Sequence, residues 1–133
     1  MSMEILKIAP TLNSPGVLFD PAGNQFEISG ESRPENVRRF YMPILEWLEQ
    51  FAGQDFGKDE ATELKFRFNF EYFNSTSAKY ILDIFKILHS INESGIVVRV
   101  SWHYEEDDED MYEVGMEMAR MSGLTFDLVM EES

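Results

Sequence analysis

Between residues 63 and 91 the sequence changes period across one short polar turn, and that junction restricts the folds open to the chain. Leu64, Phe66, Phe68 and Phe70 alternate with Glu63, Lys65, Arg67, Asn69 and Glu71, the period of two that puts one side of a β-strand in a core. Tyr80, Ile81, Ile84, Phe85, Leu88 and Ile91 then recur at three- and four-residue steps, which makes one apolar stripe along a helix. The spacing predicts a strand over 62–72 and a helix over 77–93, with Asn74-Ser75-Thr76-Ser77 at the turn between them. The first N–H groups of a helix lack intrahelical acceptors and its N-terminal end is electropositive. Asn, Ser or Thr side chains therefore cap it, and a phosphate is stabilised there. Capping alone accounts for one or two of these four residues, and a hydroxyl that accepts phosphate accounts for more of them. The pattern leaves both readings open.

The flanking segments extend the architecture. Ile5 to Ile8, Val17 to Asp20 and Gln25 to Ile28 are short apolar runs separated by turn residues, including Pro21-Ala22-Gly23-Asn24. That turn joins two runs at hairpin distance, so an antiparallel pair is expected with Phe26 and Ile28 facing inward. Ser32 or Arg33 precedes Pro34 and Glu35, a combination that predicts a helix start. Val37, Phe40, Tyr41, Ile44, Leu48 and Phe51 give that helix its apolar stripe, Gly53 its stop, and Pro43 a kink near Arg39. Gln54 to Ala61 reads as a polar loop. After Gly95, Ile96, Val98, Val100 and Trp102 alternate as a strand, Met111, Val114, Met118 and Met121 follow at helical spacing, and Phe126, Leu128 and Met130 close the chain as a last strand.

From residue 62 the order is strand, helix, strand, helix, strand, which the right-handed crossover rule turns into parallel neighbours with the helices on a shared face. Parallel strands buried on both faces read as continuous apolar runs, whereas these are polar at nearly every second position. The fold class expected is therefore α/β, a single domain over 1–133 with a mixed sheet, helices packed mainly on one face and the other face wet. The open face is a candidate docking surface.

Composition narrows the function. The 133 residues suffice for one core without staples. No cysteine is present, which removes disulfides, thiolate metal sites and cysteine nucleophiles and makes the cytoplasm the expected location. A formal net charge of −14 repels nucleic acid and anionic lipid, and no apolar run is long enough to span a membrane. Neither nucleic acid nor membrane is an expected partner.

Catalytic and metal-binding patterns are missing too. His89 and His103 have no second ligand at metal spacing, and His103 beside Glu105 has only the makings of a weak ion pair. Glu105 to Asp110 lacks the alternating ligands and turn glycine of a calcium loop. An acidic first helical turn explains the run better than a hard cation does. Met111, Met116, Met118 and Met121 read as core fillers. No phosphate-binding glycine loop or nucleophile motif occurs, so no cofactor, metal or catalytic residue is expected. The alternatives to a regulated switch are a constitutive interaction scaffold, whose hydroxyl cluster is only a cap, and a divalent-metal protein using 105–110.

At Asn74-Ser75-Thr76-Ser77-Ala78-Lys79, with the alternating strand before it and Ser101-Trp102-His103-Tyr104 followed by acids after it, the chain resembles the SiaC family of bacterial regulatory phosphoproteins. Pro34-Glu35-Asn36, opening a helix that carries Trp47, is similar too, and the likeness runs from about Ile5 to Met130. The family is similar to STAS-type anti-sigma-factor antagonists. The resemblance therefore implies a non-catalytic partner switch, phosphorylated at a helix start by an anti-sigma-type Ser/Thr kinase and reversed by a metal-dependent Ser/Thr phosphatase. Unphosphorylated, it would bind and activate a diguanylate cyclase, and so influence cyclic di-GMP and biofilm formation. In STAS domains the acceptor follows an Asp; Asn74 takes that place here, so Ser75 is the matching residue. The family often carries Thr directly after the Asn, and here the Thr is one later, at Thr76. Ser75 is favoured with Thr76 as the alternative, supported by Asn74, Ser77 and Lys79.

Overall fold

The computed structural model describes residues 3–54 and 63–132. The element order is β1 (Leu6–Ile8), β2 (Gly16–Asp20), β3 (Gln25–Ser32), α1 (Val37–Ala52), β4 (Glu63–Phe73), α2 (Ser75–Glu93), β5 (Val97–Glu105), α3 (Glu109–Ser122) and β6 (Phe126–Glu131). The six strands form one sheet in sequence order. β1, β2 and β3 pair antiparallel, and β3 to β6 pair parallel. Three successive right-handed crossovers that all step the same way place α1, α2 and α3 on one face. The expected hairpin across Pro21–Asn24 forms, with Asp20 opposite Gln25 and with Phe26 and Ile28 buried. The expected Gln54–Ala61 loop lies outside the described residues from 55 onward.

The α1 start differs from the sequence expectation. Pro34 and Glu35 stand outside the helix, and Asn36 is the N-cap, its Oδ1 accepting from Arg39 N–H at 3.0 Å. An Asx side chain reaches back to a helical N–H where Ser32, buried under the fold, is committed elsewhere. The helix runs unbroken through Pro43. Its stripe buries Tyr41, Ile44, Leu48 and Phe51 against β2 to β4. α2 begins two residues earlier than its apolar stripe suggested, and α3 buries Met111, Gly115, Met118 and Ser122. Met116 and Met121, expected as core fillers, are half exposed, because the buried stripe steps from Met111 through Gly115 to Met118 and leaves them on either side.

Two aromatic groups fill the space between sheet and helices. One gathers Phe19, Phe26, Trp47, Phe51 and Phe66. The other surrounds the fully buried Trp102, whose ring centroid lies 5.9–6.5 Å from those of Phe68, Phe70, Phe73, Phe85 and Phe126. Its indole N–H donates to the Met111 carbonyl at 3.0 Å, so the ring's one polar atom is satisfied at the start of α3. Gly115 is what lets α3 close over this ring: a Cβ there would fall 2.5 Å from Trp102 Cδ1.

The strand β4 does not keep its alternation to the end. Gly30 faces Phe70, but the next residue of β3, Glu31, faces Tyr72, so Glu71 is an extra residue in β4. This bulge reverses the parity of the last turn of strand, sending Phe73 into the Trp102 cluster and Tyr72 outward, about half exposed. Gly30, opposite the bulge, has φ +117°, which a side chain rarely adopts.

One polar group interrupts the apolar interior. Ser32 of β3, Tyr41 of α1 and Ser77 of α2 are all fully buried and hydrogen-bonded in a row, Tyr41 hydroxyl to Ser32 Oγ at 2.5 Å and Ser32 Oγ to Ser77 Oγ at 2.9 Å. Burial raises the Tyr41 phenol from 10.0 to about 12, with the Ser32 and Ser77 hydroxyls opposing that shift in part.

Three outcomes follow from this packing. Gly115→Ala gains at most about 1 kcal/mol of helix propensity but forces a methyl into the Trp102 indole, an overpacking cost of about 1–3 kcal/mol. A net loss is expected, read as a lowered urea midpoint. Gly30→Ala is expected to destabilise by about 1–2 kcal/mol through its positive φ, again by urea titration. The raised Tyr41 pKa favours the folded state fully below pH 10.0 and loses that contribution as pH climbs toward about 12. Stability should therefore fall by about 2–3 kcal/mol over that window, and Tyr41→Phe should flatten that part of the profile while lowering stability at neutral pH through the lost hydrogen bonds.

Candidate functional site

The C-terminal ends of β3 and β4 and the start of α2 are tied into one turn by a single residue. The Ser32 carbonyl accepts from Asn74 N–H at 3.2 Å and from Ser77 Oγ at 3.0 Å, while its own hydroxyl joins the buried row to Tyr41. One residue after Ser32, Arg33 N–H donates to the Asn13 carbonyl at 2.9 Å, which brings the 11–14 loop alongside. The turn is thus anchored from below and from the side before any ligand is present.

Asn74 is the N-cap of α2, in extended conformation, with its Oδ1 accepting from Ser77 N–H at 2.9 Å and from Thr76 Oγ1 at 3.0 Å. The four polar residues of the turn therefore differ in what remains available. Asn74 is used as the cap. Thr76 is exposed but its hydroxyl proton is engaged by that cap, and Ser77 is sealed in the core with 0% exposure. Ser75 is exposed, and its hydroxyl makes no hydrogen bond among the described residues. The N–H groups of Ser75 and Thr76 are among those that a helix start leaves without intrahelical acceptors.

Electrostatics favour an anion at this end, as they do at the start of α1, whose first turn carries Arg38 and Arg39 but no hydroxyl. In a chain of net charge −14, α2 has no acidic residue in its first turn, so its dipole is not neutralised there. α3 is the opposite case: Asp108 caps it, accepting from Met111 N–H at 3.0 Å, and Glu109 and Asp110 occupy its first turn. Lys79 follows Ser75 by four residues, on the same flank of α2, and is exposed, with its ammonium 5.8 Å from the Tyr80 ring centre. An anion at Ser75 would find two free N–H groups, a positive helix end and a cation one turn away.

The other residues weighed from sequence sit apart from this turn. His103 pairs not with Glu105 but with Glu131 of β6, Nδ1 to Oε1 at 3.1 Å, because strand alternation turns it onto the open face beside Arg67. His89 meets Glu93 one turn on, at 3.3 Å. Among the described residues no group of His, Asp and Glu is arranged to hold a metal ion, and no helix is long and apolar enough to cross a membrane. The open sheet face is polar as its alternation required, with Arg67 between Glu27 and Glu131 and Arg99 bonded to Glu63. Sequence reasoning missed the bulge at Glu71, the outward Tyr72 and the Ser32–Tyr41 connection. The first had a signal, the three-residue step from Phe70 to Phe73 where the strand period is two.

Comparison with known proteins agrees with the architecture. An uncharacterized protein from Pseudomonas aeruginosa (strain UCBPP-PA14) is 27% identical over 115 residues, covering 86% of this chain and 87% of the relative. Apo-SiaC from Pseudomonas aeruginosa superposes with a TM-score of 0.78 at 25% identity, covering 97% of this chain and 99% of that one. The structure of the diguanylate cyclase SiaD in complex with its activator SiaC, from the same organism, contains a chain with a TM-score of 0.80 at 24% identity, covering 96% of this chain and 99% of that one. The profile of the SiaC family regulatory phosphoprotein matches residues 8–131. The chain belongs to the SiaC family of regulatory phosphoproteins, and its role is regulatory rather than catalytic.

Proposed function

We propose that this protein is a cytoplasmic, phosphorylation-controlled partner switch whose acceptor is Ser75 and whose unphosphorylated form binds and activates a diguanylate cyclase. The carrying observation is that Ser75 presents an exposed hydroxyl, with no protein partner among the described residues, at a helix start that has no acidic residue in its first turn. Membership of a phosphoprotein family supplies the modification, and the structure of the activator SiaC with the cyclase SiaD supplies the class of partner. A Ser/Thr kinase of the anti-sigma type and a metal-dependent Ser/Thr phosphatase would set and reset the state, as in the STAS-type antagonists this family is similar to.

The hydrogen bonds favour Ser75 over its neighbour. Esterifying Thr76 would remove the proton it gives to Asn74 Oδ1 and set phosphate oxygens against that acceptor, which disturbs the cap. Phosphate on Ser75 removes no protein hydrogen bond and adds about −1.5 to −2 charges where the dipole accepts them. Ser77 would have to leave the core to be reached. The modification therefore leaves the fold in place and changes only the surface a partner meets. That surface includes the outward Tyr72 and, through the Asn13–Arg33 connection, the 94% exposed Leu12. A dianionic phosphate beside these apolar contacts penalises a docked, desolvated interface.

Phosphopeptide mapping over Tyr72 to Lys79, after incubation with ATP and a lysate of the native host, is expected to place phosphate on Ser75. Ser75→Ala should abolish the signal and Thr76→Val should keep it; persistence in Ser75→Ala would move the acceptor to Thr76. Ser75→Asp should weaken binding to the host's diguanylate cyclase by at least about tenfold, or about 1.4 kcal/mol, while its urea midpoint stays equal or rises. Undiminished cyclase binding by Ser75→Asp would overturn the switch.

A further inference from the structure

We propose that the free edge of β6, with the flank of α3 above it, receives an extended segment of a partner protein as a seventh strand, and that this segment alternates apolar and basic side chains. The surface does not include the Ser75 turn. Among the described residues β6 pairs only with β5. The Glu131 carbonyl points to β5, accepting from Glu106 N–H at 3.2 Å, so by strand alternation the N–H and C=O groups of Leu128 and Met130 point away from the sheet, ready to pair.

The two edges of the sheet are managed differently. β1 is three residues long, is followed closely by Pro10, and has Trp47 of α1 bonded to the Glu4 carbonyl just before it, so it offers little to an incoming strand. β6 is twice as long and carries neither proline nor lysine. Its only charges, Asp127 and Glu131, are acidic, so they oppose an acidic strand and not a basic one.

Above that edge the surface is apolar. The right-handed β5–α3–β6 crossover turns one flank of the buried Met111–Gly115–Met118 stripe toward β6, and on that flank Tyr112 and Met116 are 37% and 50% exposed. Met130 is 48% exposed below them, and Tyr112 packs edge-on to Tyr104 with centroids 5.1 Å apart. Residues of an added strand on the helix side would lie beside Leu128 and Met130, under Tyr112 and Met116, and be covered only if apolar.

The opposite side selects charge. Residues of the added strand that point to the open face would lie beside Asp127, Val129 and Glu131, and Asp127 is exposed with no ion pair among the described residues. The acidic 105–110 turn continues past the C-terminal end of β6. Basic side chains fit there, and a second copy, with its own net charge of −14 and the same Asp127, does not. Main-chain pairing would supply affinity and this alternation the specificity.

The test uses the full protein, isotope-labelled for NMR, titrated with a synthetic Lys-Val-Arg-Val-Lys-Val-Arg peptide and with its Glu-Val-Asp counterpart. Saturable shifts confined to β6 and α3 are expected with the basic peptide only, together with at least about tenfold slower amide exchange at Leu128 and Met130. Met130→Pro, tolerated where the N–H faces outward, should abolish the protection with an unchanged melting temperature. Should that variant unfold, the comparison of the two peptides on the unaltered protein still decides. Equal binding of both peptides, shifts centred elsewhere, or no binding would overturn the proposal. So would protection of Leu128 and Met130 in the free protein that grows with concentration alongside a dimeric mass, since a second copy would then cover the edge.

Discussion

Every later feature of this molecule depends on the handedness of three crossovers. β3–α1–β4, β4–α2–β5 and β5–α3–β6 each step to the same side, so the three helices share one face and all their N-termini arrive at the same end of the sheet. In α/β sheets that reverse direction, a crevice opens at the switch point outside the strand ends and small ligands bind there. A sheet in plain sequence order has no such reversal among its parallel strands. What it presents at the strand ends is a rim of turns, one of which carries Ser75, and a rim of that kind is suited to contact with another protein.

The three helix starts on this rim are electrically unlike. α1 has Arg38 and Arg39 in its first turn, α3 has Glu109 and Asp110 behind the Asp108 cap, and α2 has only Ser75, Thr76 and Ser77. With 25 acidic residues in the chain, the first turns of α1 and α2, both free of carboxylates, leave positive ends on an otherwise acidic surface, and of the two only α2 presents exposed Ser and Thr hydroxyls there. A capping side chain satisfies donors without adding charge, and Asn74 does so where Asp108 does not. An Asp at the cap would place a fixed negative charge beside any phosphate on the next residue. An amide cap would therefore stabilise the helix whether or not Ser75 carried a phosphate.

Much of this was legible in the sequence because it is local. The alternation of Leu64 to Phe70 names the buried face of β4, the Pro21–Asn24 turn names the hairpin, and the Asn-Ser-Thr-Ser run names the helix start. The α1 start was misplaced because Pro34 and Glu35 satisfy the same rules as a first turn, and only the Asn36 to Arg39 hydrogen bond distinguishes them. Sequence distance pairs His103 with Glu105, whereas the β5–β6 register sets it opposite Val129, on the same face as Glu131, with which its side chain pairs. Which hydroxyl of the turn stays free was equally hidden. It depends on Ser32, distant in sequence, drawing Ser77 inward, and on Asn74 engaging Thr76.

The bulge at Glu71 sets where β4 ends and α2 begins. Were β4 to keep its period, Phe73 would face the open side and Tyr72 the core, and the chain would leave the strand pointed away from the helical layer. The extra residue turns Phe73 under Trp102 and delivers Asn74 to the Ser32 carbonyl, so the cap forms at the place where α2 can begin. Gly30 permits the distortion on the neighbouring strand. The turn is consequently held by a fully buried network on one side and exposes Glu71, Tyr72, Ser75 and Thr76 on the other. A charge added outside that network has little leverage on the fold and full leverage on whatever docks there, which is the division a reversible surface switch requires.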